Sequence, residues 1–167
     1  MAVAMKRRAQ LGCALSAAFV GVVLTVAPAV VRAVAILDSK IDFQGAVSLK
    51  LGSGHADLSI KSIYNKGTLP SGSLRISLWA AQAPKSGNSP NIQGYKTAEI
   101  YARDLSGGAD VLGPNQSFDD LQLHLQFEPP ADRAYNAYLL VVEERFANCS
   151  QPDHYCGDAY VNVVPGQ

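Results

Sequence analysis

Hydrophobic and polar residues alternate with a period of two through most of the chain beyond residue 45. Val47, Leu49 and Leu51 alternate with Ser48, Lys50 and Gly52, and Ala56, Leu58 and Ile60 with Asp57, Ser59 and Lys61. Successive side chains of a strand point to opposite faces, so this pattern predicts two strands with one buried face each. After Ser62 the phase blurs at Ile63 and Tyr64, which signals either a bulge or the strand's end. A turn-rich segment, Lys66 to Ser73, leads to a third strand in which Leu74, Ile76, Leu78 and Ala80 alternate with Arg75, Ser77 and Trp79. Residues 82–94, with two prolines and two glycines, read as a loop before a fourth strand, Tyr95 to Arg103.

The most regular alternation follows: Leu121, Leu123, Leu125 and Phe127 against Gln122, His124 and Gln126, stopped by Pro129 and Pro130. Tyr135 to Glu144 is apolar on both faces, as a strand at the centre of a sheet should be, and Ala159 to Val164 closes the set. Seven short strands separated by turn signals, with no helical period anywhere after residue 35, predict an all-β antiparallel sandwich over residues 45–167. Residues 36–44 carry few apolar positions and read as a short lead-in.

The first 35 residues have a different character. Lys6, Arg7 and Arg8 precede an uncharged stretch from Ala9 to Val31, the layout of a secretory signal peptide. Ala33 and Ala35 supply an A-x-A site, with cleavage expected before Ile36; Ala27 and Ala29 supply a second, with cleavage before Val30. The apolar run also has the length of a membrane-spanning helix, so an uncleaved anchor is the alternative. A twin-arginine reading of Arg7-Arg8 fails at Gln10, and a lipoprotein reading of Cys13 fails because it precedes the apolar core. The expected location is therefore periplasmic or secreted from a bacterium, with the membrane met only transiently through the signal segment.

Processing changes the charge. Four of the 14 basic residues (Lys6, Arg7, Arg8, Arg32) and none of the 14 acidic ones lie in residues 1–35, so residues 36–167 carry 10 against 14, a net charge of −4. A mildly acidic module lacks the basic face that nucleic-acid binding requires. Of three cysteines, Cys13 leaves with the signal, and Cys149 and Cys156 remain as an even pair in an oxidising compartment, which predicts a disulfide. The closed loop is short, so the chain-entropy stabilisation is about 2.5 kcal/mol. The rival reading, a zinc site of Cys149, Cys156 and His154, lacks a fourth ligand at the usual spacing.

One resemblance runs from about residue 58 to residue 144. Asn65 with Ser71-Gly72-Ser73-Leu74-Arg75 and Leu78-Trp79-Ala80, then Gly94-Tyr95-Lys96 with Ala98-Glu99, then Pro129-Pro130 and Tyr135 to Glu144, resembles bacterial secreted immunoglobulin-like modules of the cell-adhesion-related CARDB type. The resemblance rests on strand and turn residues. It implies a single immunoglobulin-like sandwich in an extracytoplasmic setting and brings no catalytic residues. The chain departs from antibody-type domains because Cys149 and Cys156 both follow the sixth expected strand. Trp79 lies out of phase with the core positions and is expected either to pack under a loop or to be partly exposed, where it would offer a face to a sugar ring. Tyr135 or Tyr138 is expected to pin the corner before the sixth strand.

Candidate chemistry is sparse. Gly52-Ser53-Gly54-His55 lacks the strand-to-helix elbow of a nucleophilic serine and reads as a turn. Asp119 and Asp120 are adjacent on a strand and point to opposite faces, so they cannot act together on one bond. Asp104 to Asp110 lacks calcium-loop spacing and reads as a solvated turn. His124 and His154 are expected to be solvent-exposed, and Glu143, Glu144 and Arg145 to be the polar end of a strand. No catalytic residue, cofactor or metal is expected.

The leading expectation is a non-catalytic module that presents loops to an unknown protein or glycan partner. Its candidate interaction residues are Asn148, Asp153, His154 and Tyr155 in the cysteine loop, and Lys66 in the turn before the third strand, which immunoglobulin-like topology brings to the same end. The alternatives are a structural or accessory envelope protein without a diffusible ligand and, last, a small secreted hydrolase.

Overall fold

Strand pairing converts the period-two pattern into two sheets with a shared core. The computed structural model describes residues 31–34, 40–87, 91–105, 107–132 and 134–166, with Val31–Val34 and Asn91 described by their backbone. The expected signal peptide, its expected cleavage sites, Cys13 and the uncleaved-anchor alternative fall almost wholly on residues outside this set. Nine strands are described: β1 (Val31–Val34), β2 (Ile41–Leu51), β3 (His55–Asn65), β4 (Leu74–Ala81), β5 (Asn91–Tyr101), β6 (Ser117–Gln126), β7 (Ala137–Arg145), β8 (Tyr155–Val163) and β9 (Pro165–Gly166). A short 3₁₀ turn, Ala102–Asp104, follows β5.

One sheet has the order β1-β5-β4-β7-β8 and the other β6-β3-β2-β9. Described neighbours pair antiparallel, except for the short parallel pairing of β9 with β2. The fold is an all-β, immunoglobulin-like sandwich, and its seven long strands, β2 to β8, correspond one for one to the seven expected from the alternation.

The core lies between the sheets. Leu49, Leu58, Ile60, Leu121, Leu123 and Leu125 from one sheet meet Leu74, Ile76, Leu78, Leu140 and Val142 from the other. These are the in-phase residues of each strand, and burying each such side chain contributes roughly 1.5–3 kcal/mol.

The ends of the strands depart from expectation in places. β2 starts at Ile41, inside the expected lead-in, because Ile41 is fully buried and pairs with Asn65. β3 runs on through the blurred phase at Ile63 to Asn65, and the bulge lies in the partner strand β2. Phe43 pairs with Ile63 and Val47 with Ile60, so Gly45 and Ala46 oppose Lys61 alone. Gly45 takes φ +76°, and a Cβ there would sit 2.7 Å from Lys61 Cγ, which explains a glycine at the bulge.

The five-stranded sheet is buried on both faces along β4, from Leu74 to Ala81. Trp79 is 1% exposed and clusters with Ala81, Ile92, Leu139 and Val141 on the face away from the main core. Its Nε1–H donates to Ser77 Oγ at 2.9 Å. The loop after β4 folds back over this face: Asn162 exchanges two hydrogen bonds with the Lys85 backbone, and the Tyr160 hydroxyl donates to the Gly87 carbonyl. Of the two fates expected for Trp79, packing is the one it adopts. Near the corner before β7, Tyr135 meets Tyr95 edge to face and Tyr138 packs against Phe127.

Candidate functional site

The loop between β7 and β8 is closed by the Cys149–Cys156 disulfide, whose Cα atoms are 5.8 Å apart. Both thiols are consumed, so the rival zinc site with His154 is overturned. The loop lies beside the turn before β4: Arg145 N–H donates to the Ser73 carbonyl, and Gly72 N–H donates to Glu144 Oε1. Approach is close enough that a Cβ on Gly72 would sit 2.3 Å from the Arg145 carbonyl oxygen. A hollow of about 470 Å³ opens at this junction, lined by Ser73, Arg145, Phe146, Ala147 and His154. Gly72 and Ser73, at the end of the turn before β4, therefore lie beside the base of the disulfide loop.

What fastens the loop is an ion network on the outer face of the five-stranded sheet. Arg75 on β4 pairs in register with Glu143 on β7 and Tyr101 on β5. Its Nε donates to Glu143 Oε2, and its Nη1 donates to Asp153 in the loop at 2.7 Å and lies 3.6 Å from Glu99. Lys96 reaches both Glu99, at 3.0 Å, and Glu143, at 3.3 Å. The guanidinium carbon lies 4.3 Å from the centre of the Tyr155 ring, which meets Tyr101 edge to face. Arg75 and Glu143 are nearly inaccessible to solvent.

Burial alone would lower the Arg75 pKa, but the Glu143 charge and the bonds to Asp153 and Glu143 outweigh it and hold the guanidinium above its ordinary value. For Asp153, burial favours the neutral acid, yet the Tyr155 amide and Arg75 together keep its carboxyl below the usual range.

These contacts sort the expected interaction residues. Asn148 and His154 are exposed at the rim. Asp153 is half-exposed and committed to Arg75. Tyr155 is 8% exposed and packs inward, so it supports the loop and does not present it. Lys66 is exposed but turns to β2, where it pairs with Asp42 at 3.2 Å. Glu143 and Glu144 are not a solvated strand end: both are 2% exposed, and only Arg145 reaches solvent. β7 is central, so residues at its end are covered by the neighbouring turn and loop.

Gly52–His55 and the segment from Asp104 to Asp110 behave as turns, while Asp119, Asp120 and His124 lie on β6. Gly52 N–H bonds to the His55 carbonyl and closes the β2–β3 hairpin, and Asp110 accepts from the Ser73 hydroxyl. Sequence reading passed over Arg75, Lys96 and Glu99 because each is an ordinary polar-phase residue. The available signal was the charge of Arg75 and Glu143 on strands otherwise apolar on both faces.

No family model matches the chain, and no curated protein matches it. Among solved structures it is similar to the crystal structure of DesR, a β-glucosidase from Streptomyces venezuelae in complex with D-glucose. The similarity has 13% identity and a TM-score of 0.28, and covers 72% of this chain. The chain spans 14% of that enzyme's length. A TM-score this low carries no argument about fold or function.

Proposed function

We propose that this protein is an exported, non-catalytic recognition module whose mature sandwich binds a protein or glycan partner through the end bearing the disulfide loop. The observation that carries the reading is the fastening of that loop. The disulfide and the Arg75–Asp153 bond hold it against the sheet next to the hollow lined by Arg145, Phe146 and His154. A loop already held in one conformation loses less conformational freedom on binding, which is how small surfaces reach useful affinity. Leu69, 60% exposed in the turn before β4, adds an apolar element at the same end.

Export rests on the basic and apolar pattern of residues 1–35 and on the disulfide, which is compatible with an extracytoplasmic protein. Among the described residues no helix is long and apolar enough to cross a membrane. Tyr155, being buried, is replaced in the proposed contact set by Arg145 and Phe146.

The test is capture from envelope and culture-fluid extracts, with a glycan array in parallel, comparing the wild type with an Arg145→Ala, His154→Ala, Leu69→Ser triple variant. These side chains are at the surface or the rim, so the variant is expected to keep its unfolding midpoint. One partner retained by the wild type and lost by the variant supports the reading. A partner held equally by both, or none at all, overturns it in favour of an accessory envelope role.

A further inference from the structure

The four-stranded sheet carries a second constellation, on its outer face and away from the disulfide loop. We propose that His55, Asp57 and His124 form a site for one divalent transition-metal ion, of the borderline kind that zinc represents. Strand pairing makes the site. His55 and Asp57 are two residues apart on β3 and share a face, and Asp57 is directly opposite His124 on β6.

One donor atom from each residue falls within 4.8 Å of the other two. His124 Nδ1 lies 2.6 Å from Asp57 Oδ1, and His55 Nε2 lies 3.8 Å from Asp57 Oδ2. The two imidazole rings lie side by side, tilted by 34°, with centroids 4.8 Å apart. Tetrahedral zinc with bonds of about 2.0–2.2 Å needs donors roughly 3.3 Å apart. Closing the site therefore takes side-chain shifts of about an ångström, and all three side chains reach solvent.

A supporting shell distinguishes this cluster from a chance surface pair. His55 Nδ1 lies 3.3 Å from the Ser53 carbonyl oxygen. In that contact Nδ1 is the donor and Nε2 faces Asp57, whereas His124 Nδ1 donates to Asp57 Oδ1 and gives up that proton when it ligates a metal. The Gly52–His55 backbone bond fixes the hairpin from which His55 projects. A simple cross-strand His–Asp pair would use one histidine, and here a second flanks the same carboxylate.

Two imidazole nitrogens and one carboxylate oxygen suit zinc or copper over calcium or magnesium, which prefer oxygen donors. Three protein donors leave a coordination position open. The adjoining groove, lined in part by Ser48, Lys50, Ser59 and Gln122, holds about 470 Å³ and gives water or an anionic donor access to that position.

The experiment is calorimetric titration of the untagged, chelator-stripped protein with Zn²⁺, with Ca²⁺ and Mg²⁺ as comparisons. The expected result is one equivalent of Zn²⁺ at micromolar affinity, no saturable Ca²⁺ or Mg²⁺, and a melting temperature raised by Zn²⁺. His55→Ala, Asp57→Asn and His124→Ala should each weaken Zn²⁺ binding at least about tenfold, since losing even a supporting group costs that much. Unchanged circular dichroism without metal separates loss of the site from loss of the fold, and His124→Gln serves where the alanine variant unfolds. Absent micromolar binding, or binding indifferent to any one of the three substitutions, overturns the site.

Discussion

Arg75 on strand β4 donates to the Asp153 carboxylate at 2.7 Å, joining the centre of the five-stranded sheet to a loop 78 residues further along the chain. The same guanidinium is buried against Glu143, so one side chain neutralises a carboxylate inside the protein and fastens a loop outside it. Removing it should do two separable things.

Arg75→Ala leaves Glu143 without its main partner in a nearly dry site, and breaking one half of a buried pair costs about 3–5 kcal/mol. Asp153→Asn, at a half-exposed position, should cost about 1 kcal/mol or less. Urea unfolding of both variants measures this. Equal, small losses would mean that Glu143 is solvated and the network is superficial.

The disulfide closes a short loop in an already folded sandwich. Cys149→Ser with Cys156→Ser should lower stability by about 2.5 kcal/mol and leave the domain folded. A shift in the urea midpoint without a change in slope is the expected signature. Complete unfolding of the variant would show that the loop is essential to the fold.

Asp158 accepts the Ile41 amide proton at 2.8 Å, and burial pushes its carboxyl from 3.8 up to about 6, helped by the charge of Glu144 and opposed by the Ile41 and Lys40 amides. The folded state thus holds this proton more tightly than the unfolded chain. Its contribution to stability is full below about pH 4 and is lost as pH rises through about 6, a difference of up to about 3 kcal/mol. Asp158→Asn keeps an acceptor for Ile41. It should exceed the wild type in stability at pH 7.5, with the advantage vanishing near pH 4. A stability difference independent of pH contradicts the assignment.

Trp79 is the chain's single tryptophan and is 1% exposed, with the Lys96 ammonium 5.4 Å from its ring centre. Its emission should be blue-shifted and resist acrylamide in the native protein, becoming accessible only on unfolding. Sensitivity of native emission to added sugars would reverse this and restore a stacking role.

Strand β1 bears on processing. Val31–Val34 pairs with β5 through Gly94 to Asn91, although the sequence alone favours cleavage before Ile36. Cleavage at the earlier A-x-A site keeps this strand and covers an edge that would otherwise stay open. Under the proposed export, an intact mass beginning at Val30 would mean that β1 is retained, and one beginning at Ile36 would mean that the sandwich forms without it.

Alternation was enough to place the seven long strands, because a half-buried strand must put every second residue in the core. It misjudged Ile41–Gln44, where a bulge at Gly45 interrupts the period, and it could not rank Trp79, whose burial depends on a loop returning over the outer face. Topology put the end of the turn before β4, at Ser73, near the base of the cysteine loop, yet the inward packing of Tyr155 was invisible.

The sequence by itself determined the fold class, the paired cysteines and the mild acidity of residues 36–167, since each follows from local pattern or from a count. Only the tertiary structure decided that Arg75 meets Asp153 and Glu143, and that Asp57 stands between His55 and His124. Those contacts depend on strand register and on which sheet a strand joins. Both are set by the packing of the whole core, so no single segment encodes them.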